Sequence, residues 1–129
     1  MYPQEFLYTK EHEWIRLDED IGTIGITDYA QKELGDVVFV ELPKVGDHIA
    51  ANESFGTIES VKAVSEIFAP VHGEVVGVNS KLQNNPELVN ADPHGAAWLI
   101  RIRLSDRSEA DKLMTAEEYE AYIQEKKGE

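Results

Sequence analysis

The sequence of 129 residues contains no cysteine, which excludes disulfides, thiolate nucleophiles and metal sites with sulfur ligands. Any redox or thiol chemistry would therefore need a cofactor that carries its own sulfur. No apolar run approaches the ~20 residues that a membrane helix needs. The segment from Met1 to Phe6 shows no secretory signal. We therefore expect a cytoplasmic protein that does not enter a membrane.

Basic residues are also scarce, with 12 lysines and arginines against 25 acidic residues and a net charge of −13. Phosphate backbones repel such a chain, so we expect no nucleic-acid partner. The acidic balance would attract partners with basic surfaces, although solubility alone also explains it.

Motifs of common enzyme classes are missing. The sequence has no Walker A run, no G-x-G-x-x-G and no G-x-S-x-G. The four histidines show no paired ligand spacing of the kind that zinc sites use. We therefore predict neither a metal site nor catalysis.

The pattern of apolar and turn-forming residues predicts one mainly β domain over residues 1–129. It is divided into N-terminal strands at 8–34, a hairpin core at about 36–80, and a C-terminal strand and helix at 97–126. The short strand spacing favours a small antiparallel β-sandwich or flattened barrel with short peripheral helices. A parallel α/β fold is excluded because no connection is long enough for crossover helices.

Residues Ile21–Ile26 alternate apolar with small or polar residues, which predicts a half-buried strand. Thr27 and Asp28 are candidate caps of a short helix over 29–34, with Gly35 as its αL stop. Thr115 and Glu118 form a capping box that opens the C-terminal helix.

The region between these elements predicts one helical turn and one strand. Asn85 would cap the turn, Pro86 would take its first position, and Asn90 would end it. Residues Trp98–Leu104 alternate, which places Trp98 and the three following even-numbered residues on one buried face.

Two β-prone runs flank the turn Ser60–Ala63 and place Lys62 at the tip of a hairpin. The turn lacks the Gly, Asn or Asp of the preferred two-residue hairpins, but a type I turn accepts its residues. Branched or small neighbours, Val61 and Ala63, suit insertion of this loop into a modifying enzyme. A solvated surface lysine is the alternative interpretation.

A catalytic role for Lys62 is disfavoured. Lysines that form Schiff bases are usually activated by burial or by a nearby cation. Here the tip is exposed, and the neighbouring charges are the carboxylates of Glu59 and Glu66.

The run Glu59-Ser60-Val61-Lys62-Ala63 resembles the lipoyl-attachment hairpin of glycine cleavage system H proteins. The resemblance covers roughly residues 8–123 in order and spacing. Other matched stretches lie at 12–14, 24–31, 35–43, 86–90 and 92–98. Biotinyl carriers instead have methionines on both sides of the lysine. Lipoyl domains of 2-oxo acid dehydrogenases lack the strand at 13–14 and the C-terminal capped helix. This chain departs from the family at His94 and Ala97, where an aromatic residue and glycine are usual.

The resemblance implies a fold of the lipoyl-domain (barrel-sandwich hybrid) type and a carrier without catalysis of its own. Lipoate would be joined to Lys62 through an amide. The implied partners are the PLP-dependent glycine decarboxylase, the aminomethyltransferase, dihydrolipoamide dehydrogenase and a lipoate-attaching enzyme. The carrier would take the aminomethyl group of glycine from the first to the second and its dithiol to the third. A tethered intermediate does not diffuse away, which raises its effective concentration.

Members of this family shelter the loaded arm, which carries an amine, in a cleft on their own surface. A carboxylate there would favour the cation. Glu13 and Glu66 are the candidates, since both lie in matched stretches, and the alternative is that they are solvated acids. Two other functions stay open: a relay protein that passes lipoate to other complexes, and an unknown enzyme that uses Lys62.

Overall fold

The computed structural model describes residues 2–127. Its strands are β1 (Phe6–Tyr8), β2 (Glu13–Asp18), β3 (Ile21–Ile26), β4 (Val37–Glu41), β5 (His48–Ile49), β6 (Ser54–Ser60), β7 (Val64–Phe68), β8 (Gly73–Val78) and β9 (Ile100–Leu104). Its helices are α1 (Asp28–Leu34), α2 (Lys81–Asn84), α3 (Leu88–Ala91) and α4 (Ala116–Lys127), and a 3-10 helix spans Arg107–Lys112. None of the helices in this described range is long and apolar enough to span a membrane.

The strands form two antiparallel sheets that pack on each other. The larger sheet has the order β1-β2-β3-β9-β8-β5, and the smaller has the order β4-β6-β7. Both contribute to one buried cluster, which includes Ile24 and Ile102 from the larger sheet and Ile58 and Ile67 from the smaller. The mainly β prediction is therefore confirmed as a sandwich of open sheets, each with two edge strands, and the flattened-barrel alternative is not adopted.

Strand β3 shows why alternation alone misjudged burial. It lies between β2 and β9, and every residue from Gly22 to Ile26 is buried. A Cβ on Gly25 would lie 2.6 Å from Cε2 of Trp14, so the indole covers the face that the pattern assigned to solvent. Gly22 and Gly25 are small because neighbouring side chains fill the space above them. The prediction that β3 is half-buried is therefore wrong.

Helix α4 closes one end of the larger sheet. Its capping box is confirmed: the Glu118 amide donates to the Thr115 hydroxyl at 3.2 Å, and the Thr115 amide donates to the Glu118 carboxylate at 2.9 Å. The ring of Tyr119 stacks on Tyr8 at 4.8 Å between centroids. These rings and Trp14 belong to a second buried cluster between the helix and the sheet.

The predictions around α3 and β9 need correction. Helix α3 begins at Leu88, so Asn85 is not its cap. Asn90 lies inside the helix, and its side chain bonds to another segment instead of ending the turn. Strand β9 begins only at Ile100. Trp98 therefore does not follow the alternation, and its ring lies 4.0 Å from the guanidinium carbon of Arg101.

Candidate functional site

The hairpin of β6 and β7 presents Lys62 as an exposed residue at its tip, as the sequence predicted. The hydroxyl of Ser60 accepts hydrogen bonds from the amides of Lys62 and Ala63, both at 3.1 Å. The Ser60 amide donates to the Ala63 carbonyl at 2.8 Å and closes the turn. Serine thus supplies the local bonding that Asn or Asp gives in other turns. Sequence reasoning missed this residue, although serine at the start of a turn is a usable signal.

The segment after α1 supports the hairpin tip. The carbonyl of Asp36 accepts a hydrogen bond of 3.0 Å from the Val61 amide. Gly35 has φ of +81°, and a Cβ on it would lie 3.0 Å from Cε of Lys62. Glycine is favoured here by the backbone angle, and its lack of a side chain leaves room for the lysine stem. Its ψ of −157° shows that it ends α1 outside the predicted αL conformation.

Lys62 also lies at the carboxyl-terminal end of α1, since Gly35 is the C-cap of that helix. The Lys62 stem therefore lies against the last residue of this helix segment.

A cleft of about 470 Å³ lies between α1 and β7. Leu34 of α1 and Val64 of β7 border it near the hairpin tip, and Phe68 lines it at the other end of the strand. At about 3.3 Å per residue, β7 gives the cleft a length of about 13 Å. Glu13 and Glu66 both line it, as do Glu11 and Glu33. The structure therefore brings the two predicted carboxylates into one cleft, and their role in binding stays a prediction.

The two carboxylates differ in environment. Glu66 is exposed, whereas Glu13 is only 2% exposed. One oxygen of Glu13 accepts a bond of 2.6 Å from the Thr9 hydroxyl, and the other accepts one of 3.1 Å from the Phe68 amide. Burial raises the pKa of Glu13 to about 7, although both hydrogen bonds favour the charged form. Sequence reasoning identified Glu13 but missed its partner Thr9.

His12 precedes Glu13 in the chain and also lines the cleft. Its φ of +73° is uncommon for a residue with a side chain. Its Nδ1 lies 2.8 Å from the Tyr119 hydroxyl, which is itself 2.8 Å from the Thr27 hydroxyl. Burial lowers the pKa of His12. The C-terminal helix is thus connected to one wall of the cleft. Across residues 2–127, no group of three or more His, Cys, Asp or Glu side chains is arranged to hold a metal ion.

A comparison with known proteins agrees with this geometry. The family model described as "Glycine cleavage H-protein" matches residues 6–126. The chain belongs to the glycine cleavage H-protein family. An H protein of Geobacillus kaustophilus is 58% identical over 123 residues, which cover 95% of this chain and 97% of that one. The H protein of Halothermothrix orenii is 54% identical over 123 residues, with coverage of 95% and 96%.

A solved H protein has the same fold. The crystal structure of the H protein from Mycobacterium marinum superposes with a TM-score of 0.89 at 37% identity. The match covers 95% of this chain and 99% of that one. The arrangement of sheets and hairpin described here is therefore that of the H-protein family along nearly the whole chain.

Proposed function

We propose that this chain is the lipoyl-bearing carrier of the glycine cleavage system, with lipoate amide-linked to Lys62. The observation that carries the proposal is the exposed lysine on a hydrogen-bonded hairpin tip beside an acidic cleft. Membership of the H-protein family supports it.

The residues present fit a lipoyl group. The amine is exposed, and its stem lies over a glycine, so the side chain is not held by packing against a larger residue. The cleft offers apolar walls from Leu34, Ile58 and Ile67 beside its carboxylates. When bound, the lipoyl group would supply a disulfide, one sulfur of which would carry the aminomethyl group of glycine while the other would become a thiol; the dithiol would be left once that group is passed on.

The chain's own residues divide the work of a carrier. Lys62 is the anchor, and the apolar side chains of the cleft exclude water from the carried group. Glu66 and Glu13 place negatively charged carboxylates in the cleft, where they favour the ammonium group of the carried intermediate. A nearby cation would also favour the ionised form of Glu13 over its neutral form.

The proposed partners are glycine decarboxylase, aminomethyltransferase, dihydrolipoamide dehydrogenase and a lipoate-attaching enzyme. The chain itself carries out no catalysis, works in the cytoplasm, and binds neither nucleic acid nor membrane. Its net charge of −13 favours partners with basic docking surfaces.

Intact mass after incubation with lipoate, ATP and a lipoate ligase tests the anchor. The wild type and the control Lys44→Ala should each gain one lipoyl group, and Lys62→Ala should gain none while it keeps its fold. Glycine decarboxylase should then exchange bicarbonate with glycine only in the presence of a lipoylated form. Modification of Lys62→Ala, or exchange that does not depend on lipoylation, would contradict the proposal.

A further inference from the structure

The largest exposed apolar side chains are concentrated around the hairpin tip. Among residues 2–126, five large apolar side chains are exposed, and four of them form what we call the tip face: Val38 (48%), Phe39 (48%), Val61 (68%) and Val64 (64%). The fifth, Val45, is 65% exposed and lies in the loop after β4. Apolar surface that is concentrated in one place is typical of a docking site.

A β-bulge in β4 creates part of this face. Val37 pairs with Ser60 and Phe39 pairs with Glu59, so two residues of β4 advance while β6 advances by one. As a result, Val38 and Phe39 are both exposed, whereas Val37 and Val40 are buried. Bulges re-aim side chains and are frequent beside functional sites.

The face is continuous across the smaller sheet. Glu59 pairs with Phe39 on one side and with Val64 on the other, so the three side chains share one row. The strands of this sheet contain Glu41, Glu59 and Glu66 and no lysine, arginine or histidine. A complementary partner therefore has apolar side chains for Phe39 and Val64 and a basic group for the Glu59 carboxylate between them.

We propose that the tip face is the docking surface for the enzyme that acylates Lys62, which rests on the proposed function. That enzyme must bring a carbonyl carbon into bonding contact with Nζ itself. Nζ lies 3.8 Å from the position of a Cβ on Gly35, close to the start of β4. An acylating enzyme must therefore cover this segment and the turn. Enzymes that act on the far end of the lipoyl arm are separated from this segment and the turn by the length of the arm.

The reaction is an acyl transfer from an acyl adenylate, which the enzyme makes from ATP and the fatty acid. The neutral Nζ attacks the carbonyl carbon, and the new C–N bond replaces the C–O bond to AMP. AMP leaves with the electron pair of that bond, and the proton of the amine passes to solvent. Docking on the tip face would hold Nζ in reach of this carbonyl and leave the chemical step unchanged.

The test compares Phe39→Ser with Val45→Ser, which both replace an exposed apolar side chain with serine. Intact mass follows lipoylation by a lipoate ligase. Phe39→Ser should raise the KM for the carrier at least about tenfold with little change in kcat, because aromatic anchors dominate interfaces. Val45→Ser should match the wild type. The Kd of the unmodified carrier for the ligase, measured by calorimetry, should rise with the KM. Salt should weaken binding of the wild type and of both variants.

Val38→Thr provides a second variant should Phe39→Ser fail to fold, and it should raise the KM in the same direction. Equal KM values for the tip-face variants and Val45→Ser would overturn the docking proposal while leaving Lys62 as the anchor. The docking proposal would also be overturned if the tip-face variants slowed turnover by glycine decarboxylase but not lipoylation by the ligase. A wild-type dimer that Phe39→Ser dissociates without a change in the KM for lipoylation would overturn it too. A wild type that the ligase does not acylate would instead overturn the proposed function.

Discussion

The side-chain amide of Asn90 donates a hydrogen bond of 2.8 Å to the carbonyl of Gly35, the residue that lies beneath the Lys62 stem. The same side chain accepts a bond of 2.9 Å from the Val37 amide. Helix α3 therefore holds both ends of the short segment whose middle residue, Asp36, binds the hairpin turn. One amide side chain connects a distant helix to the support of the lysine.

Replacing Asn90 with alanine should destabilise this support. The Gly35 carbonyl and the Val37 amide would lose their partners, at a cost of about 2 kcal/mol in the free energy of unfolding. Hydrogen exchange should accelerate at the amides of Val37 and Val61. Asn85→Ala is the control, because that exposed amide makes one bond, of 3.4 Å. Equal stability of the two variants would show that the support does not depend on Asn90.

Glu13 should make the stability of the fold fall as pH rises. Its pKa is raised from 4.5 to about 7, so the folded protein binds this proton more tightly than the unfolded chain. The stabilisation is complete below about pH 4.5 and is lost as pH rises through about 7. At about 1.4 kcal/mol per pH unit, the loss is about 3 kcal/mol.

Urea unfolding at pH 4.5 and pH 8 measures this effect. Between those values Glu13→Gln should gain about 3 kcal/mol of stability relative to the wild type, since glutamine carries no charge to bury. Groups that both proteins share, including His12, cancel in this difference. The exposed Glu87→Gln should track the wild type at both pH values. A Glu13→Gln curve parallel to the wild type would show that Glu13 titrates normally.

Removing both acids from the cleft should shorten the life of the carried group. Replacing Glu13 and Glu66 with glutamine removes the charges that favour an ammonium group there. The isolated loaded protein should therefore lose its aminomethyl group faster. A lost interaction of about 1.4 kcal/mol corresponds to a rate about tenfold higher. Mass spectrometry over time gives the rate. The control replaces Glu53 and Glu87, which are exposed and do not line the cleft. An unchanged lifetime would remove the assigned role of the two acids.

Strand β3 should tolerate no side chain at Gly25. A Cβ there would lie 2.6 Å from Cε2 of Trp14, which overpacks the second cluster and should cost about 1–3 kcal/mol in the free energy of unfolding. Gly77→Ala in β8 is the matched control, because its nearest contact, Cβ of Arg101, lies at an ordinary 3.5 Å. Thermal unfolding followed by tryptophan fluorescence compares the two. A Gly25→Ala protein as stable as Gly77→Ala would show that the indole moves aside without cost.

Local features of the chain were predictable wherever neighbouring residues determine the structure. The caps at Thr27 and Thr115 use hydrogen bonds that span three residues, and both are present. The Lys62 turn is equally local, since Ser60 closes it from within. The role of Asn90 was misjudged because its side chain bonds to Gly35 and Val37, which are remote in sequence.

The sequence by itself therefore determined the strand-rich class, the hairpin and the lysine at its tip, since these depend on periodicity and turn chemistry within a few residues. Only the tertiary structure decided that Glu13 is buried against Phe68 and that Glu66 lines the same cleft. It also decided that the bulge in β4 exposes Val38 and Phe39 together. Burial and cross-strand register depend on which sheets pack together, and no local pattern contains that information.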